Sequence, residues 1–129
     1  MKFQVGESGV IQGEFEYGEL IISSNSEIGF RPVQLLVSSL AGCSGGVLKK
    51  VLEKKRIKFD SIDIEVDIER NEAEANRVTK LSLHFIVNGN HLNITTVQKS
   101  LNIAVKNCAM VQSVKDAIEI VETIEIREK

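Results

Sequence analysis

The side chains with the clearest chemical potential are two cysteines, Cys43 and Cys108, and two histidines, His84 and His91. Structural zinc asks for four nitrogen or sulfur ligands at short spacing. The cysteines lie 65 positions apart (108 − 43), neither belongs to a CxxC pair, and two scattered histidines do not complete a set. No metal is expected. Two readings of the cysteines remain. Each is a small, buried hydrophobe, as cysteine often is, or they form a thiol pair in which one attacks and the other resolves. The second reading needs a thiolate exposed enough to meet substrate and a partner sulfur within disulfide reach. His84 falls on the polar side of a strand pattern and is given no role.

Both cysteines sit in helical patterns. The first runs from Arg31-Pro32 through Leu52 to Lys54-Lys55-Arg56. Proline is at home in the first helical position, where its missing N–H costs nothing, and a basic end suits the helix dipole. At 1.5 Å per residue this helix is a rod of roughly 37 Å. Cys43 shares a stripe with Leu36, Leu40 and Val47, and Gly42, Gly45 and Gly46 surround it. Each mid-helix glycine costs about 1 kcal/mol relative to alanine, so a close approach of another backbone is expected there. The second pattern places Val97, Leu101, Ala104 and Cys108 on one face, starting near Thr95-Thr96 and followed by a short helical piece over Met110–Val114.

The remaining segments read as strands. Residues 1–24 alternate and are punctuated by glycine, predicting two or three short strands. Ile62, Ile64, Val66 and Ile68 alternate with Asp63, Glu65, Asp67 and Glu69, as in a sheet with one wet face. Leu81, Leu83, Phe85 and Val87 point inward from the next strand, and Ala117–Ile126 closes the chain as another. The order β-β-(β)-α-β-β-α-β predicts an α+β fold, a single domain over 1–129 with an antiparallel sheet packed on helices. The long helix is apolar around much of its circumference, which predicts a homodimer.

Composition narrows the function. The formal charge is −2 from 16 basic and 18 acidic residues, and without a basic face no nucleic-acid partner is expected. The first residues lack the apolar core of a signal peptide, and no run approaches 18 apolar residues, so no membrane association and a cytoplasmic location are expected.

The segment Pro32-Val33-Gln34-Leu35-Leu36-Val37-Ser38-Ser39-Leu40-Ala41-Gly42-Cys43 resembles the P-x-[EQ]-L-L-x-x-x-L-x-G-C signature of the OsmC/Ohr family. Lys106-Asn107-Cys108-Ala109-Met110-Val111-Gln112-Ser113-Val114 resembles its second-cysteine segment, and the likeness extends over roughly residues 10–127. The resemblance implies an intertwined homodimer whose sheets wrap around paired central helices, with the three glycines at the crossing. It also implies thiol-dependent reduction of hydroperoxides, preferentially organic ones. Cys43 would become a sulfenic acid, Cys108 would close a disulfide with it, and an external dithiol would restore both. No cofactor is implied.

The chain departs from the family at several positions. The family holds its thiolate beside an arginine from the N-terminal strands and a glutamate just after the motif proline. Here no arginine precedes Arg31, Val33 and Gln34 stand where the glutamate would, and Ala109 replaces a proline. Arg31, Gln34 and Glu27 are the candidate substitutes. Without a cation, mid-helix burial would lift the Cys43 pKa above the free value of about 8.5. The alternative expectation is therefore a non-catalytic dimer of the same fold, holding a small apolar or thiol-reactive ligand at the subunit interface.

Overall fold

The computed structural model describes residues 1–128, which divide into two compact units, one covering Met1–Ser39 and one beginning at Leu40.

The first unit is built on β1 (Phe3–Val5), β2 (Ile11–Glu14) and β3 (Glu19–Ile22), paired antiparallel in sequence order. Gly9, at φ 84°, occupies the left-handed turn between β1 and β2, a conformation that costs glycine little. Phe15 and Gly18 exchange backbone hydrogen bonds of 3.0 and 3.1 Å to close the second hairpin. Phe3 and Phe15 meet edge to face at 5.9 Å above Gly13, where a Cβ would come within 2.7 Å of the Phe3 ring. A loop follows and leads into helix α1 (Pro32–Lys54), 23 residues long and starting at the expected proline. Gln34 accepts the Arg31 N–H at 3.0 Å through its Oε1, the returning half of a capping box.

The second unit contains the rest of α1, then β4 (Ser61–Asn71), β5 (Arg77–Asn88), α2 (Ile94–Asn107), α3 (Ala109–Val114) and β6 (Glu119–Arg127). Among the described residues, every fully buried apolar side chain belongs to this unit. Leu40, Leu48 and Leu52 of α1, Leu81, Leu83, Phe85 and Val87 of β5, and Val97, Leu101 and Ala104 of α2 form its centre, each 0–1% exposed. The inward rows anticipated for β5 and α2 are the rows observed. Helix α2 begins slightly earlier than its threonines suggest, because the Asn93 side chain accepts the Thr96 N–H at 3.1 Å and so caps it.

Two expectations need correction. The strands form two three-stranded sheets, and the second is mixed: β5 pairs antiparallel with β4 but parallel with β6. The cause is topological. β5 and β6 are joined through α2 and α3, and such a crossover carries the chain back to the end where β5 began, so that β6 runs the same way, whereas a hairpin reverses it. Ile68, expected inside, is 40% exposed and lies just before the register shift between Glu69 and Arg70. Among the described residues, no backbone approaches the glycines of α1, so the crossing expected there concerns a second subunit. A Cβ at Gly45 would come within 2.8 Å of Ile64 Cδ1, while Gly42 and Gly46 face open space.

Candidate thiol site

On α1 the buried stripe is Leu40, Ser44, Leu48 and Leu52, at i, i+4, i+8 and i+12. Cys43 precedes Ser44 by one residue, about 100° around the helix, and so stands at the edge of the stripe, half-buried. Cys108 is fully buried, at 0% exposure. Its extended backbone (φ −84°, ψ 108°) ends α2 and starts α3, which turns its thiol inward from the elbow between them. Both cysteines are free thiols.

These elements bring the two sulfurs together. Cys43 faces the backbone N–H of Met110, the Cys108 thiol and the Ala109 N–H, with the Lys50 ammonium acting from further off. These groups hold the Cys43 thiol below its ordinary value in spite of some desolvation. The upward shift expected from mid-helix burial is therefore reversed. Cys43 is only partly withdrawn from water, and the start of α3 supplies donors that no reading of α1 alone includes. Cys108 moves the opposite way. Burial pushes its thiol up, and its contact with the Cys43 sulfur adds to the rise, against the opposing effects of the Ser44 hydroxyl and Val111 N–H. The pair is therefore asymmetric: Cys43 ionises first, and Cys108 remains the proton-bearing partner.

Two further residues complete the arrangement, and neither emerges from the sequence motifs. Ser44 is 1% exposed and its Oγ donates to Cys108 Sγ at 3.2 Å. Beside Ser44 lies Glu122, whose carboxyl oxygens are both shut off from solvent without a directed hydrogen bond. Burial pushes its pKa up, and the adjacent Ser44 hydroxyl only partly offsets this. Glu122 pairs across the sheet with the buried Leu83, in the row Ile120, Glu122, Ile124, Ile126 of β6. A carboxylate in the apolar phase of a strand is a signal the sequence does carry. Ser44 leaves a fainter trace, as the one polar residue at leucine spacing on α1.

Arg31, Gln34 and Glu27 belong to the first unit. Gln34 caps α1 by accepting the Arg31 N–H, the Glu27 N–H donates to Asn25 Oδ1 at 2.9 Å, and Glu27 and Gln34 line one cavity with Ile21 and Phe30. His84 faces away from the thiols, on the opposite phase of β5 from Leu83. Its ring nitrogens contact Thr123 Oγ1 at 2.7 Å and Glu125 Oε1 at 2.8 Å. Among the described residues, no three His, Cys, Asp or Glu side chains converge as a metal would require. One turn beyond Cys43 opens a groove of about 390 Å³, floored by Val47, Val51 and Ile103 and flanked by Lys50, Lys54 and Lys55.

The sequence matches the family described as OsmC-like protein over residues 23–123. It is 26% identical to protein YhfA of Escherichia coli over 96 residues, 74% of this chain and 72% of that protein. Among solved structures, an OsmC-like protein from Mycoplasma pneumoniae superposes with a TM-score of 0.83 at 14% identity, covering 98% of this chain and 94% of the other. The organic hydroperoxide resistance protein OhrB of Bacillus subtilis superposes with a TM-score of 0.65 at 20% identity, covering 98% and 95%. With the match spanning most of the chain and the fold shared throughout, this protein belongs to the OsmC-like family.

Proposed function

We propose that the protein is a thiol-dependent hydroperoxide reductase working as a cytoplasmic homodimer, with Cys43 as attacking thiolate and Cys108 as resolving thiol. The observation that carries this reading is the asymmetric pair itself, a half-exposed thiol favoured as thiolate against a buried thiol that keeps its proton. Family membership and the hydroperoxide-resistance proteins among the structural relatives support it.

In the first step the Cys43 thiolate attacks the outer oxygen of ROOH. The O–O bond breaks, Cys43 becomes S–OH, and the departing alkoxide takes a proton to leave as ROH. Cys108 sulfur then attacks Cys43 sulfur, the S–O bond breaks, and water leaves as the disulfide forms. An external dithiol reduces the disulfide by exchange. The Met110 and Ala109 N–H groups, with Lys50, take the part that a charged pair plays elsewhere in the family. The groove of Val47, Val51 and Ile103 suits an apolar R group.

A second subunit fits the surfaces left uncovered. Phe3, Val5 and Phe30 are 54%, 69% and 56% exposed, and a three-stranded sheet of such short strands gains stability from cover on its apolar side. The apolar central window of α1, with mean hydropathy 1.4, is only 22% buried within the chain.

The test is consumption of cumene hydroperoxide by purified protein with a dithiol. Turnover that falls to background in Cys43→Ser is expected, and wild-type turnover equal to that variant sinks the proposal. The second reading, a binding module without catalysis, draws on the lysine-flanked groove. It predicts ligand retention with no peroxide consumed, and fails if stoichiometric peroxide converts both thiols to a disulfide.

A further inference from the structure

We propose that Glu122 is the proton acceptor that readies Cys108 for disulfide closure, acting through the Ser44 hydroxyl. The inference rests on the thiol-pair reading above and extends it to residues outside the cysteine motifs.

The geometry is a chain of four side chains from three elements. Cys43 and Ser44 come from α1, Cys108 from the elbow of α2 and α3, and Glu122 from β6. Ser44 lies between Cys108 and Glu122, bonded to the sulfur at 3.2 Å and adjacent to the carboxyl. Both carboxyl oxygens are sealed from water and lack a directed partner. Leaving a buried polar group unpaired is costly. Nothing in the packing of β6 requires it, since Ile120, Ile124 and Ile126 fill the neighbouring positions of the same row.

Among the described residues, the side chains that β5 and α2 turn toward this region offer no other carboxylate or imidazole. β5 presents Leu81, Leu83 and Phe85 on this face, each 0–1% exposed, and His84 and Glu125 lie on the opposite face. α2 presents Val97, Ser100, Leu101 and Ala104, and the Ser100 hydroxyl is engaged by the Thr96 carbonyl at 2.8 Å. The titratable groups that act on Cys43 among the described residues are the Cys108 thiol and Lys50.

Closure requires the S–H bond of Cys108 to break as its sulfur attacks Cys43, and burial makes that thiol reluctant to ionise. A hydroxyl both accepts and donates. For closure the Ser44 hydroxyl turns from the sulfur toward Glu122, its oxygen then taking the Cys108 proton while its own proton passes to the carboxylate. The S–S bond forms, the S–O bond of the Cys43 sulfenic acid breaks, and the leaving hydroxide becomes water with a proton from solvent. Glu122 later returns its proton to solvent, so the step balances. A carboxyl lifted above its usual range by burial is a better proton acceptor for a thiol than an ordinary one. Glu122 touches no reacting atom directly and is a positioning and relay residue.

The step can be isolated without peroxide. DTNB forms a mixed disulfide on Cys43, and attack by Cys108 then releases a second nitrothiobenzoate, timed by absorbance. In wild type this second phase should speed up with pH and level off once Glu122 is ionised. In Glu122→Gln and in Ser44→Ala it should slow by roughly a hundredfold at neutral pH and lose that inflection, while the first phase changes far less. Glu122→Asp should restore part of the rate together with an inflection. Thermal melting separates this from misfolding, since Glu122→Gln removes a buried charge and should melt no lower than wild type. A wild-type second phase that is absent, or a Glu122→Gln variant with unaltered rate and pH profile, overturns the proposal. Failure to trap a Cys43 sulfenic acid with cumene hydroperoxide in Cys108→Ser, which has no resolving thiol, would instead sink the peroxidase reading alone, because closure from the mixed disulfide needs no peroxide.

Discussion

Cys43 and Cys108 are the same chemical group in opposite settings, and the difference comes from what each faces. Cys43 has backbone N–H groups and a neighbouring S–H as donors, whereas Cys108 has the apolar core and a partner that ionises before it. Iodoacetamide should therefore label Cys43 with a pH midpoint below that of an ordinary thiol, and leave Cys108 unlabelled in the native state. Peptide mapping after a short pulse at several pH values reads both outcomes, and a Cys43 midpoint at or above that of free cysteine would contradict this picture. The cysteine motif was legible because its residues are contiguous. The donors at Ala109 and Met110 were not, because a backbone N–H carries no side-chain signature and becomes a neighbour of Cys43 only through the fold.

At the scale of elements, β6 carries a conflict between its strand pattern and its composition. A row of isoleucines is interrupted by Glu122, whose folded pKa lies above the unfolded value of 4.5. Between those two values the folded state binds more protons than the unfolded one, so this group makes stability fall as pH rises. Glu122→Leu should remove that fall and stabilise the protein by about 1–3 kcal/mol above the folded pKa, measured by urea denaturation at several pH values. The gain should shrink at a pH well below 4.5, where the carboxyl is protonated in both states and only the burial of a neutral polar group remains. An equal gain at every pH would show that packing, and not charge, is responsible. Periodicity located each strand of the second unit and the inward rows of β5 and α2, since those patterns are local. It did not give the parallel pairing of β6, because strand direction depends on the path of the connection. Nor did it give the exposure of Ile68, which follows a register shift that alternation cannot anticipate.

At the scale of the molecule, a Cβ at Gly42 or Gly46 would meet nothing within 4 Å among the described residues, and Phe3, Val5 and Phe30 remain exposed. If α1 meets a second α1 along the glycine face, Gly42→Leu should shift the protein from dimer to monomer in light scattering coupled to size-exclusion chromatography, while Glu53→Ala, at an exposed ion pair with Lys49, should not. A Gly42→Leu protein that remains as dimeric as wild type would place the interface elsewhere. The α+β class was legible from element order, whereas the division of the strands into two sheets was not, because sheet membership is a long-range property.

The crossover that sets β6 beside β5 also dictates when the site can come into being. Cys43 and Cys108 are separated by 65 positions, and Glu122 joins them only after α2, α3 and the last strand have docked. Contacts of that sequence separation form late, since chain closure must precede them. During synthesis, then, the two thiols emerge as ordinary cysteines, without the N–H donors of α3 that lower Cys43. The thiolate-favouring surroundings of Cys43 would therefore be complete only once the last elements have packed.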